Sequence, residues 1–537
     1  SIGFFSTLTN FFSGFYLNIT RFIGSQTYYK FAKINLFIIL LIYIFGTFLN
    51  FRLPSFFSFL KLFIISTSLI FFIRIFIRDL VMKYLKNKNI IKSIGIYGAG
   101  AAGSQLLASL KLSGKLNIIA FFDDNPNLWG TKINNIKIYP PHQIYKFKDN
   151  LKQILLAIPS INISRKRTII KMLQNLELPI LDMPSIDEIT KGKTKIDELR
   201  PIPIEELLGR EVIEAQGDLM KLAIKNKTIL ITGAGGSIGS ELCRQVIQNM
   251  PKKVVLLEIS EENLYKINEE LSQINIDKIK IKSILGSSSN FKLVSKTIKD
   301  NNIDIIFHAA AYKHVPIVEL NPIEGIKNNI FSTVAVCEAS VENHIEKLIL
   351  ISTDKSVRPT SVMGASKRVA ELVVQAYAEK ESNKFNKDSN YKEILFSMVR
   401  FGNVLGSSGS VILKFKEQIK SGGPITLTDS NIIRYFMTIK EAAQLVIQSS
   451  VLSQGGDIFL LDMGDPVRIY DLAKQMVNLS GLSIKDKSNI EGDIEIIATG
   501  LRPGEKLYEE LLIDAEAEKT DHPLIFRAKE NFIMMDE

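Results

Sequence analysis

The stretch Ile229-Leu-Ile-Thr-Gly-Ala-Gly-Gly-Ser-Ile-Gly239 decides the fold of the longest part of this chain. Its apolar first half predicts a buried strand, its glycines predict a tight turn, and the residues after it follow a helical pattern. Glycines in such a turn let backbone N–H groups approach a pyrophosphate at the N-terminus of the helix. The turn residues expected at a bound dinucleotide are Gly233, Gly235, Gly236, Ser237, Ile238 and Gly239.

An acidic residue follows the glycine turn at the spacing of a dinucleotide site. The apolar run 254–257 predicts the next strand, and Glu258 ends it. A carboxylate roughly 20 residues beyond the glycines can accept a hydrogen bond from a ribose 2′-hydroxyl. Two small residues, Ala309 and Ala310, follow a later predicted strand, where they let the backbone run close under a cofactor. Tight packing of a helix on a strand would also select small residues at these two positions.

Length and composition limit the class of protein. A chain of 537 residues is too long for one hydrophobic core and predicts about three domains. Cys243 and Cys337 lie in helical patterns without a CxxC motif or a histidine cluster, which predicts small buried side chains and no metal site. The net charge of +10 comes without the interleaved basic and aromatic residues of nucleic-acid binding. We assign it to a membrane surface and an anionic substrate, although lysine spread over solvated faces explains it equally well.

The front of the chain holds most of the excess hydrophobicity. Residues 36–49 and 56–73 are apolar runs that predict transmembrane helices, the second interrupted by Lys61, which can reach an interface. The Phe-rich segment 2–23 predicts a third span or an interfacial helix. We assign residues 1–85 to this membrane region. Because the first residue is Ser1 and not Met, the sequence leaves open whether further spans precede it.

Basic residues predict the orientation of the two spans. Lys30 and Lys33 precede the first span, and a basic cluster at 74–88 follows the second. By the positive-inside rule both groups lie in the cytoplasm, joined through an external loop at 52–54. The chain is therefore predicted to be a multi-pass protein of the inner (cytoplasmic) membrane with its catalytic part in the cytoplasm. A signal peptide fits poorly, because the apolar segments repeat and no small-residue cleavage site follows them.

Two glycine turns predict two Rossmann-like, doubly wound α/β domains. Residues 90–190 carry the strand–glycine–helix signature Ser93-Ile-Gly-Ile-Tyr-Gly-Ala-Gly100, but no catalytic constellation follows it. We interpret this domain as noncatalytic and used for packing or assembly, with nucleotide binding as the alternative. Residues 191–225 are predicted to be a linker. Residues 226–530 are predicted to be the second domain, and the part from 403 onward forms its C-terminal substrate-binding cap.

Strands and helices alternate throughout the second domain. This alternation is typical of a parallel sheet covered by helices on both faces. The Lys- and Asn-rich stretch 380–392 is predicted to be a surface loop. The predicted strands are 228–232, 253–258, 304–307, 347–351 and 395–400.

A polar triplet follows the predicted strand at 347–351. Thr353, Asp354 and Lys355 stand at the carboxyl end of a parallel strand, where α/β proteins bind ligands. A hydroxyl can hydrogen-bond a substrate hydroxyl, a carboxyl can be a general acid, and an amine can be a general base if its pKa is lowered. On their own, the three residues are better explained as a helix N-cap followed by a solvated ion pair.

A second pair of residues favours the catalytic interpretation. Met363 and Lys367 are four residues apart, which puts both on one face of a helix. The pair resembles the Tyr-x-x-x-Lys pair of the short-chain dehydrogenase/reductase superfamily, where Tyr is the general base and Lys holds the nicotinamide ribose. Met363 stands at the Tyr position, and a thioether cannot shuttle a proton. The resemblance implies NAD as the cofactor and another group as the base.

Six motifs together extend the resemblance to one family. They are TGAGGSIG at 232–239, HAAAYKHVP at 308–316, STDKSVRPT at 352–360, MGASKR at 363–368, RFGNVLGSSGSV at 400–411 and LRPGEK at 501–506. This set is similar to that of the membrane-bound bacterial UDP-N-acetylglucosamine 4,6-dehydratases of the PglF, WbpM and CapD type, over about 226–530. In that type, membrane spans and a noncatalytic Rossmann-like domain precede the catalytic domain, and methionine is expected at the Tyr position.

The resemblance implies a reaction and a role for each residue. The expected product is a 4-keto-6-deoxy sugar nucleotide for bacterial glycan biosynthesis. Thr353 would hydrogen-bond the C4 hydroxyl, Asp354 would take its proton and later protonate the departing C6 hydroxyl, and Lys355 would abstract the C5 proton. Lys367 would bind the cofactor ribose. Retention at C5 is favoured over inversion, because the smaller inverting enzymes lack the membrane and first Rossmann-like regions.

The predicted cap supplies candidates for binding the UDP group. Guanidinium groups fit phosphate oxygens, although a surface ion pair explains a single arginine about as well. The predicted strand at 424–428 can read uracil through its backbone. The candidate substrate-binding residues are Lys313, Asn403, Ser410, Lys414, Thr426, Arg434, Arg502 and Glu505.

Two other functions stay open. A UDP-sugar 4-epimerase or an inverting dehydratase would use the same cofactor, but Met363 argues against the epimerase. A membrane-anchored nucleotide-binding assembly protein would use both Rossmann-like domains for binding alone, and the triplet at 353–355 weighs against it. The resemblance also suggests a homo-oligomer, without fixing the number of subunits.

Overall fold

The strand Thr228–Thr232 lies inside a nine-stranded sheet, and all five of its residues are buried. The computed structural model describes separate residues between 33 and 76, and residues 92–113, 116–183, 199–202, 216–275, 279–388, 391–510, 512, 517–528 and 530. The chain divides into two compact units, residues 1–152 and 153–537. The boundary between them falls inside the predicted first α/β domain at 90–190.

One helix among the described residues is long enough and apolar enough to cross a membrane. It spans Phe56–Ile73, with a mean hydropathy of 2.2 and no buried part. The described residues of 33–48 are also helical, and Asn35 donates a hydrogen bond to Thr67 at 2.8 Å. This bond links the two predicted spans. The predicted segment 2–23, the loop at 52–54 and the basic residues of the cluster at 74–88 lie outside the described residues.

The rest of the first unit has the strand–helix–strand start that its glycine turn predicts. Strands β1 (Lys92–Tyr97) and β2 (Leu116–Phe122) are parallel, and the helix Ala101–Ser113 connects them. Short strands β3 (Lys132–Ile133) and β4 (Ile136–Tyr139) extend the sheet in the order β3-β4-β2-β1. Two 3-10 segments, Pro126–Leu128 and Pro141–Asn150, complete this part of the unit.

The second unit starts with two parallel strands and a helix. Strands β5 (Gln153–Leu156) and β6 (Ile180–Asp182) flank the helix Ile163–Gln174. The structure then differs from the predicted 191–225 linker, because Gly217–Ile224 is a helix. Its buried apolar side chains join the core of the following domain, so residues 217–224 are part of that domain's packing.

The main sheet of the second unit alternates strands with helices. Its strands are β7 (Thr228–Thr232), β8 (Lys253–Glu258), β9 (Lys280–Leu285), β10 (Ile305–His308), β11 (Lys347–Ile351), β12 (Leu395–Arg400), β17 (Asp457–Leu461), β21 (Ala517–Lys519) and β22 (Ile525–Ala528). The helices between these strands are Ser237–Ile247, Glu261–Ile274, Phe291–Asn301, Val315–Leu320, Pro322–Ile326, the π-helical segment Lys327–Phe331, Ser332–Glu342, Val362–Lys387 and Ile439–Leu452. The five predicted strands of this sheet are confirmed to within one residue at each end.

The strand order places a ligand crevice beside the glycine turn. The order is β21-β22-β17-β12-β11-β10-β7-β8-β9, parallel from β17 to β9, with β22 and β21 added antiparallel. The chain runs outward from β7 to β9 and then returns to β10 on the other side of β7. This reversal is the switch point at which doubly wound sheets bind ligands. Thr232 pairs with both Leu257 and His308, so the ends of β7, β8 and β10 are level.

Both faces of this sheet are buried at its central strands. Ile229 and Ile231 belong to the core cluster on one face, while Leu230 belongs to the cluster on the other. Alternation of this kind follows from the two-residue period of a strand, and burial on both faces is typical of parallel sheets. Cys243 and Cys337 are free and buried, one in each cluster, as predicted.

The cap is built from short strands and two helices. Strands β13 (Asn403–Leu405) and β16 (Phe436–Thr438) pair, as do β15 (Ile433–Arg434) and β18 (Val467–Arg468). Strand β14 (Ile425–Leu427) joins β20 (Ile494–Ala498) and β19 (Ile484–Lys485) in a third sheet. The cap helices are Val411–Lys420 and Ile469–Leu479.

The predicted surface loop at 380–392 is wrong over its first part. The helix that begins at Val362 continues to Lys387. Glu381 on this helix is fully buried and accepts hydrogen bonds from Lys384 and Tyr391. These contacts extend the helix into a stretch whose composition is typical of a loop.

Candidate active site

The glycine turn fits its position because its glycines carry no side chains. Gly233 has a φ of +65°, and a Cβ there would lie 2.8 Å from the backbone of Ala310. A Cβ on Gly239 would lie 2.0 Å from the carbonyl oxygen of Gly233. The helix that starts at Ser237 can therefore pack directly onto the turn. The N-terminus of a helix at such a turn is a site for the pyrophosphate of a dinucleotide.

Glu258 holds the glycine turn through hydrogen bonds from the backbone. Its Oε2 accepts from the N–H of Gly235 at 2.9 Å, and its Oε1 accepts from the N–H groups of Ile259 and Ser260 at 3.0 Å each. Two carboxylate oxygens have about four lone-pair sites, so one acceptor site remains. In this structure Glu258 organises the turn, and a ribose hydroxyl would use its remaining capacity.

Two cavities lie at the carboxyl edge of the main sheet. The nucleotide cavity, about 150 Å³, is lined by the glycine turn together with Glu258 and Ala310. The substrate cavity, about 760 Å³, extends from the glycine turn to the cap, and Ala309 lines both cavities. The predicted residues on the substrate cavity are Gly236, Ser237, Ile238, Gly239, Ala309, Lys313, Thr353, Lys355, Met363, Lys367, Asn403, Ser410, Lys414, Thr426, Arg434, Arg502 and Glu505. Gly235 and Asp354 line neither cavity.

The triplet after β11 forms one hydrogen-bonded group. Asp354 is 2% exposed, and its Oδ1 accepts from the hydroxyl of Thr353 at 2.8 Å and from Nζ of Lys355 at 3.0 Å. Thr353 also caps the single 3-10 turn Asp354–Ser356, as the N-cap interpretation of the sequence expects. Thr353 can cap the 3-10 turn and also belong to the polar triplet, because the turn brings the three side chains together.

Lys355 is surrounded by oxygen acceptors. Besides Asp354, its Nζ contacts Oε1 of Glu509 at 3.1 Å and Oδ1 of Asn403 at 3.3 Å. Burial lowers the pKa of Lys355, but the charges of Asp354 and Glu509 outweigh burial, and the net shift is upward. A general base needs a neutral amine, so these contacts have to change before Lys355 can take a proton.

The helix Val362–Lys387 brings Met363 and Lys367 to the same cavity. Met363 is 2% exposed, and Lys367 is 4% exposed, with its Nζ donating to the carbonyl of Ile351 at 2.7 Å. Burial lowers the pKa of Lys367 to about 8. Ile351 ends β11, so the hydrogen bond fixes the amine at the edge where the cofactor ribose is expected.

The cap candidates form a connected polar wall. Lys414 Nζ approaches the carbonyl of Thr426 at 3.5 Å, and Gln418 bonds both the N–H and the hydroxyl of Thr426. Thr428 donates to Glu505 at 3.0 Å. Thr426 lies in strand β14, as predicted for the strand that would read uracil.

Arg434 lines the substrate cavity, but most of its N–H donors bind other groups of the protein. Its Nη1 donates to the carbonyls of Ile433 and Leu507, its Nη2 donates to that of Lys506, and its Nε pairs with Glu509. A guanidinium has five N–H donors, so one remains for a phosphate oxygen. The structure therefore makes Arg434 chiefly a clasp for residues 506–509, a role that the motif did not predict.

Sequence reasoning missed a buried ionic network behind the triplet. Arg400 is fully buried and pairs with Glu371, which also accepts from Ser352 at 2.5 Å and Ser356 at 2.8 Å. Burial raises the pKa of Glu371, but Arg400 outweighs burial and the net shift is downward. The serines flank the triplet, so the network fixes its backbone. Arg400 stands in one of the six motifs, but nothing in the sequence paired it with Glu371.

His314 is a second residue that the sequence reasoning missed. It lines the substrate cavity, and a Cβ on Gly409 would lie 2.3 Å from its Cε1. The glycine in the loop between β13 and the following helix therefore makes room for this imidazole. The two residues belong to two of the six motifs, but no local pattern connects one with the other.

Comparisons with known proteins agree with this architecture. A family profile described as Polysaccharide biosynthesis protein matches residues 229–530. The capsular polysaccharide biosynthesis protein CapD of Staphylococcus aureus is 40% identical over 447 residues, which cover 82% of this chain and 72% of CapD. That match is longer than the second domain, so the likeness to CapD extends into residues before 229.

Two further proteins match about half of this chain. The X-ray structure of Pen from Bacillus thuringiensis is 34% identical, with a TM-score of 0.50, and the match covers 57% of this chain and 88% of Pen. A UDP-glucose 4-epimerase of Rickettsia rickettsii is 32% identical over 299 residues, or 55% of this chain and 80% of the epimerase. Both matches cover most of the other protein and about half of this one.

Proposed function

Because the chain belongs to the polysaccharide biosynthesis protein family, we propose that it is an NAD-dependent 4,6-dehydratase of UDP-N-acetylglucosamine. The product is UDP-2-acetamido-2,6-dideoxy-4-keto-hexose, formed with retention at C5. The reaction removes water from the sugar without net oxidation, so the enzyme is a lyase. Its product supplies bacterial glycan biosynthesis.

One observation carries the proposal. The side chains of Thr353, Lys355, Met363 and Lys367 line one cavity, and buried Asp354 is hydrogen-bonded to the first two. A 4,6-elimination needs an acid for the C6 hydroxyl and a base for the C5 proton. The carboxyl of Asp354 and the amine of Lys355 supply these two functions 3.0 Å apart.

The residues of the nucleotide cavity fit NAD. The glycine turn has no room for a Cβ at Gly233 or Gly239, which is the cradle that a pyrophosphate needs. Glu258 would accept from the adenosine ribose, and Lys367 would hold the nicotinamide ribose. Bound NAD⁺ supplies a reversible hydride acceptor. The chain's own residues move the protons.

The proposed proton transfers use the three residues of the triplet. Thr353 orients the C4 hydroxyl, and Asp354 takes its proton and later gives a proton to the departing C6 hydroxyl, which leaves as water. Lys355, once neutral, takes the C5 proton and later returns one to C5. Met363 has no proton to transfer and shapes the cavity wall. Each transfer uses a group within the hydrogen-bonded cluster.

The cap would bind the UDP group. Arg502 and Lys414 line the substrate cavity and offer cationic groups to the diphosphate, and Arg434 adds its one remaining N–H. The backbone of Thr426 would read the uracil, with Glu505, Ser410 and Lys313 on the surrounding wall. Asn403 faces both the sugar space and Lys355.

A UDP-sugar 4-epimerase is the second candidate, favoured by the 32% identity to the Rickettsia enzyme. The methionine at position 363 weighs against it, because a 4-epimerase of this superfamily relies on the tyrosine that Met363 replaces. An inverting dehydratase would differ from the proposed enzyme in the C5 configuration of its product. A noncatalytic nucleotide-binding assembly protein would form no product at all.

We also propose that the enzyme is a multi-pass protein of the cytoplasmic membrane, with its catalytic domain in the cytoplasm, and that it assembles as a homo-oligomer. Most of the described apolar side chains of the helix Phe56–Ile73 are exposed, among them Phe57 at 72%, Ile65 at 64% and Phe72 at 67%, as expected for a helix that faces lipid. Protease protection in membrane vesicles tests the orientation. Cleavage of the second domain in right-side-out vesicles would contradict it.

The deciding experiment is a proton NMR time course of the protein with UDP-N-acetylglucosamine and NAD in D₂O. We expect a new C6 methyl signal, a 4-keto product and deuterium at C5, with a coupling pattern that reports retention. A C4 epimer without a methyl signal would favour the epimerase. An unchanged sugar, with the protein folded and NAD bound, would overturn the dehydratase proposal for this substrate.

A further inference from the structure

Glu509 lies against the triplet, outside the six motifs. Its side chain is 3% exposed, and its Oε1 contacts Nζ of Lys355 at 3.1 Å and Nε of Arg434 at 3.1 Å. Its Oε2 is buried without a hydrogen-bond partner among the described residues. Buried carboxylate oxygens are normally satisfied, so this placement needs an explanation.

The three oxygens around the amine of Lys355 match its three N–H donors in number. An ammonium group has three N–H donors, and Asp354, Glu509 and Asn403 present one oxygen each at 3.0, 3.1 and 3.3 Å. In this state the nitrogen has no lone pair. Lys355 must lose one proton before it can take one from carbon, so these three oxygens decide how firmly the nitrogen holds its protons.

Glu509 itself is fixed by the clasp that Arg434 forms. Arg434 donates to three backbone carbonyls, of residues 433, 506 and 507, so the guanidinium that pairs with the Glu509 carboxylate is itself held by the backbone. The charged groups that face Glu509 are the cations of Lys355 and Arg434 and the carboxylate of Asp354. Burial and the Asp354 carboxylate raise the pKa of Glu509, the two cations oppose this effect, and the net shift is upward.

We propose that Glu509 is a positioning residue that anchors the Lys355 nitrogen to the cap and strengthens it as a base. The inference rests on the proposed dehydration. As Lys355 takes the C5 proton, an N–H bond forms, the C5–H bond breaks, and its electron pair stays on the sugar. The ammonium that results lies against the Glu509 carboxylate. A stronger base favours this transfer and leaves a smaller neutral fraction at low pH.

The test removes the negative charge of Glu509 and keeps the shape of its side chain. Glu509→Gln retains an oxygen toward Lys355 and Arg434 but cannot carry a negative charge. We expect the acid limb of the kcat/KM profile to move about one pH unit lower, because the pKa of Lys355 falls with loss of the carboxylate. We expect kcat on the plateau to fall about tenfold, because the amine is a weaker base, with KM within about twofold of the original value.

Two variants separate this role from simple structural support. Glu509→Asp should restore the acid limb toward its original position. Glu510→Gln is the matched control, because Glu510 is half exposed and pairs with Arg358 at 3.5 Å, and it should leave the profile unchanged. A Glu509→Gln enzyme with reduced activity but an unmoved acid limb would overturn the proposal.

A second measurement does not depend on turnover. Competitive acetylation of the full-length protein, read by mass spectrometry of the peptide that holds Lys355, reports the fraction of neutral amine at each pH. The midpoint should be lower in Glu509→Gln than in the original protein, and equal midpoints would overturn the inference. If the midpoint shifts but UDP-N-acetylglucosamine stays unchanged, the dehydratase proposal fails and the link between Glu509 and Lys355 stands.

Discussion

Glu371 and Arg400 form a two-point ion pair beside the triplet 353–355. Nε of Arg400 donates to Oε1 of Glu371 at 2.8 Å and Nη2 to Oε2 at 2.7 Å, and neither side chain is exposed. A pair so deeply buried adds little net stability, but removing one partner leaves an uncompensated charge. The pair therefore fixes the position of Ser352 and Ser356 more than it strengthens the fold.

Glu371→Gln should lower the free energy of unfolding by about 3 kcal/mol, because Arg400 loses the more deeply buried of its two carboxylates. Urea-induced unfolding in detergent measures the change. Glu262→Gln is the control, since Glu262 is an exposed partner of Lys266 and its loss should leave the free energy of unfolding nearly unchanged. Equal losses in the two variants would contradict the role of burial.

Asp354→Asn should reduce kcat by about 10²-fold or more while NAD stays bound, because an amide can neither take the C4 proton nor protonate the C6 oxygen. Turnover is followed by the C6 methyl signal, and bound NAD is measured after denaturation. Asp465→Asn, at an exposed position of the cap, should behave like the original enzyme. Near-normal turnover of Asp354→Asn would remove Asp354 from the mechanism.

Met363→Ala should be milder than Lys355→Ala in its effect on kcat. The thioether has no proton to move, so its loss acts through packing, whereas loss of the amine removes the base. Met363→Ala should still destabilise the protein by about 2 kcal/mol, because Met363 is buried. Met363→Leu keeps the volume and serves as the control. The reverse ranking in kcat would show that the methionine takes part in the chemistry.

Lys367 should make stability depend on alkaline pH. Burial lowers its pKa to about 8 in the folded protein, from 10.5. Between these values the unfolded chain binds a proton that the folded protein has lost, so the free energy of unfolding rises with pH by up to about 3 kcal/mol. The gain is absent below about pH 8, where both states carry the proton.

Lys367→Met removes this titration. The free energy of unfolding of the original protein, minus that of Lys367→Met, should therefore increase between about pH 8 and pH 10. Urea unfolding of both proteins in detergent at several pH values measures the difference. A difference that stays constant over this interval would mean that the amine keeps an ordinary pKa.

Arg434→Lys should loosen residues 506–509. A lysine has three donors on a flexible stem and cannot serve three carbonyls and Glu509 together. Hydrogen exchange of the amides in this segment should become about tenfold faster. Arg358→Lys, at an exposed site, is the control. Unchanged exchange, combined with a large rise in KM, would instead make Arg434 mainly a phosphate ligand.

Local sequence patterns predicted the sheet because burial on both faces leaves continuous apolar runs. Strands β7, β8 and β11 extend the runs of Val, Ile and Leu by at most one residue at each end. The prediction of a loop at 380–392 was wrong over its first part, because Glu381 and Lys384 form contacts that composition does not reveal. A helix stabilised by a long-range or buried polar contact cannot be read from local hydrophobicity alone.

The candidate site was predictable only where one motif carried the chemistry. The triplet 353–355 and the pair Met363 and Lys367 were found because each lies within a few residues. Glu509 and Glu510 are adjacent and chemically identical, yet one is buried beside Lys355 and the other is half exposed. The path of the cap decides which of these two neighbouring carboxylates faces inward. The local sequence does not predict that path.

Arg400 receives its second carboxylate from Glu530, which follows it by 130 residues. During synthesis, the ribosome completes the glycine turn, the polar triplet and Arg400 long before Glu530 emerges. A nascent chain that ends before Glu530 carries the guanidinium of Arg400 with only one of its two carboxylate partners. The charge of Arg400, beside the triplet 353–355, is therefore fully balanced only late in translation.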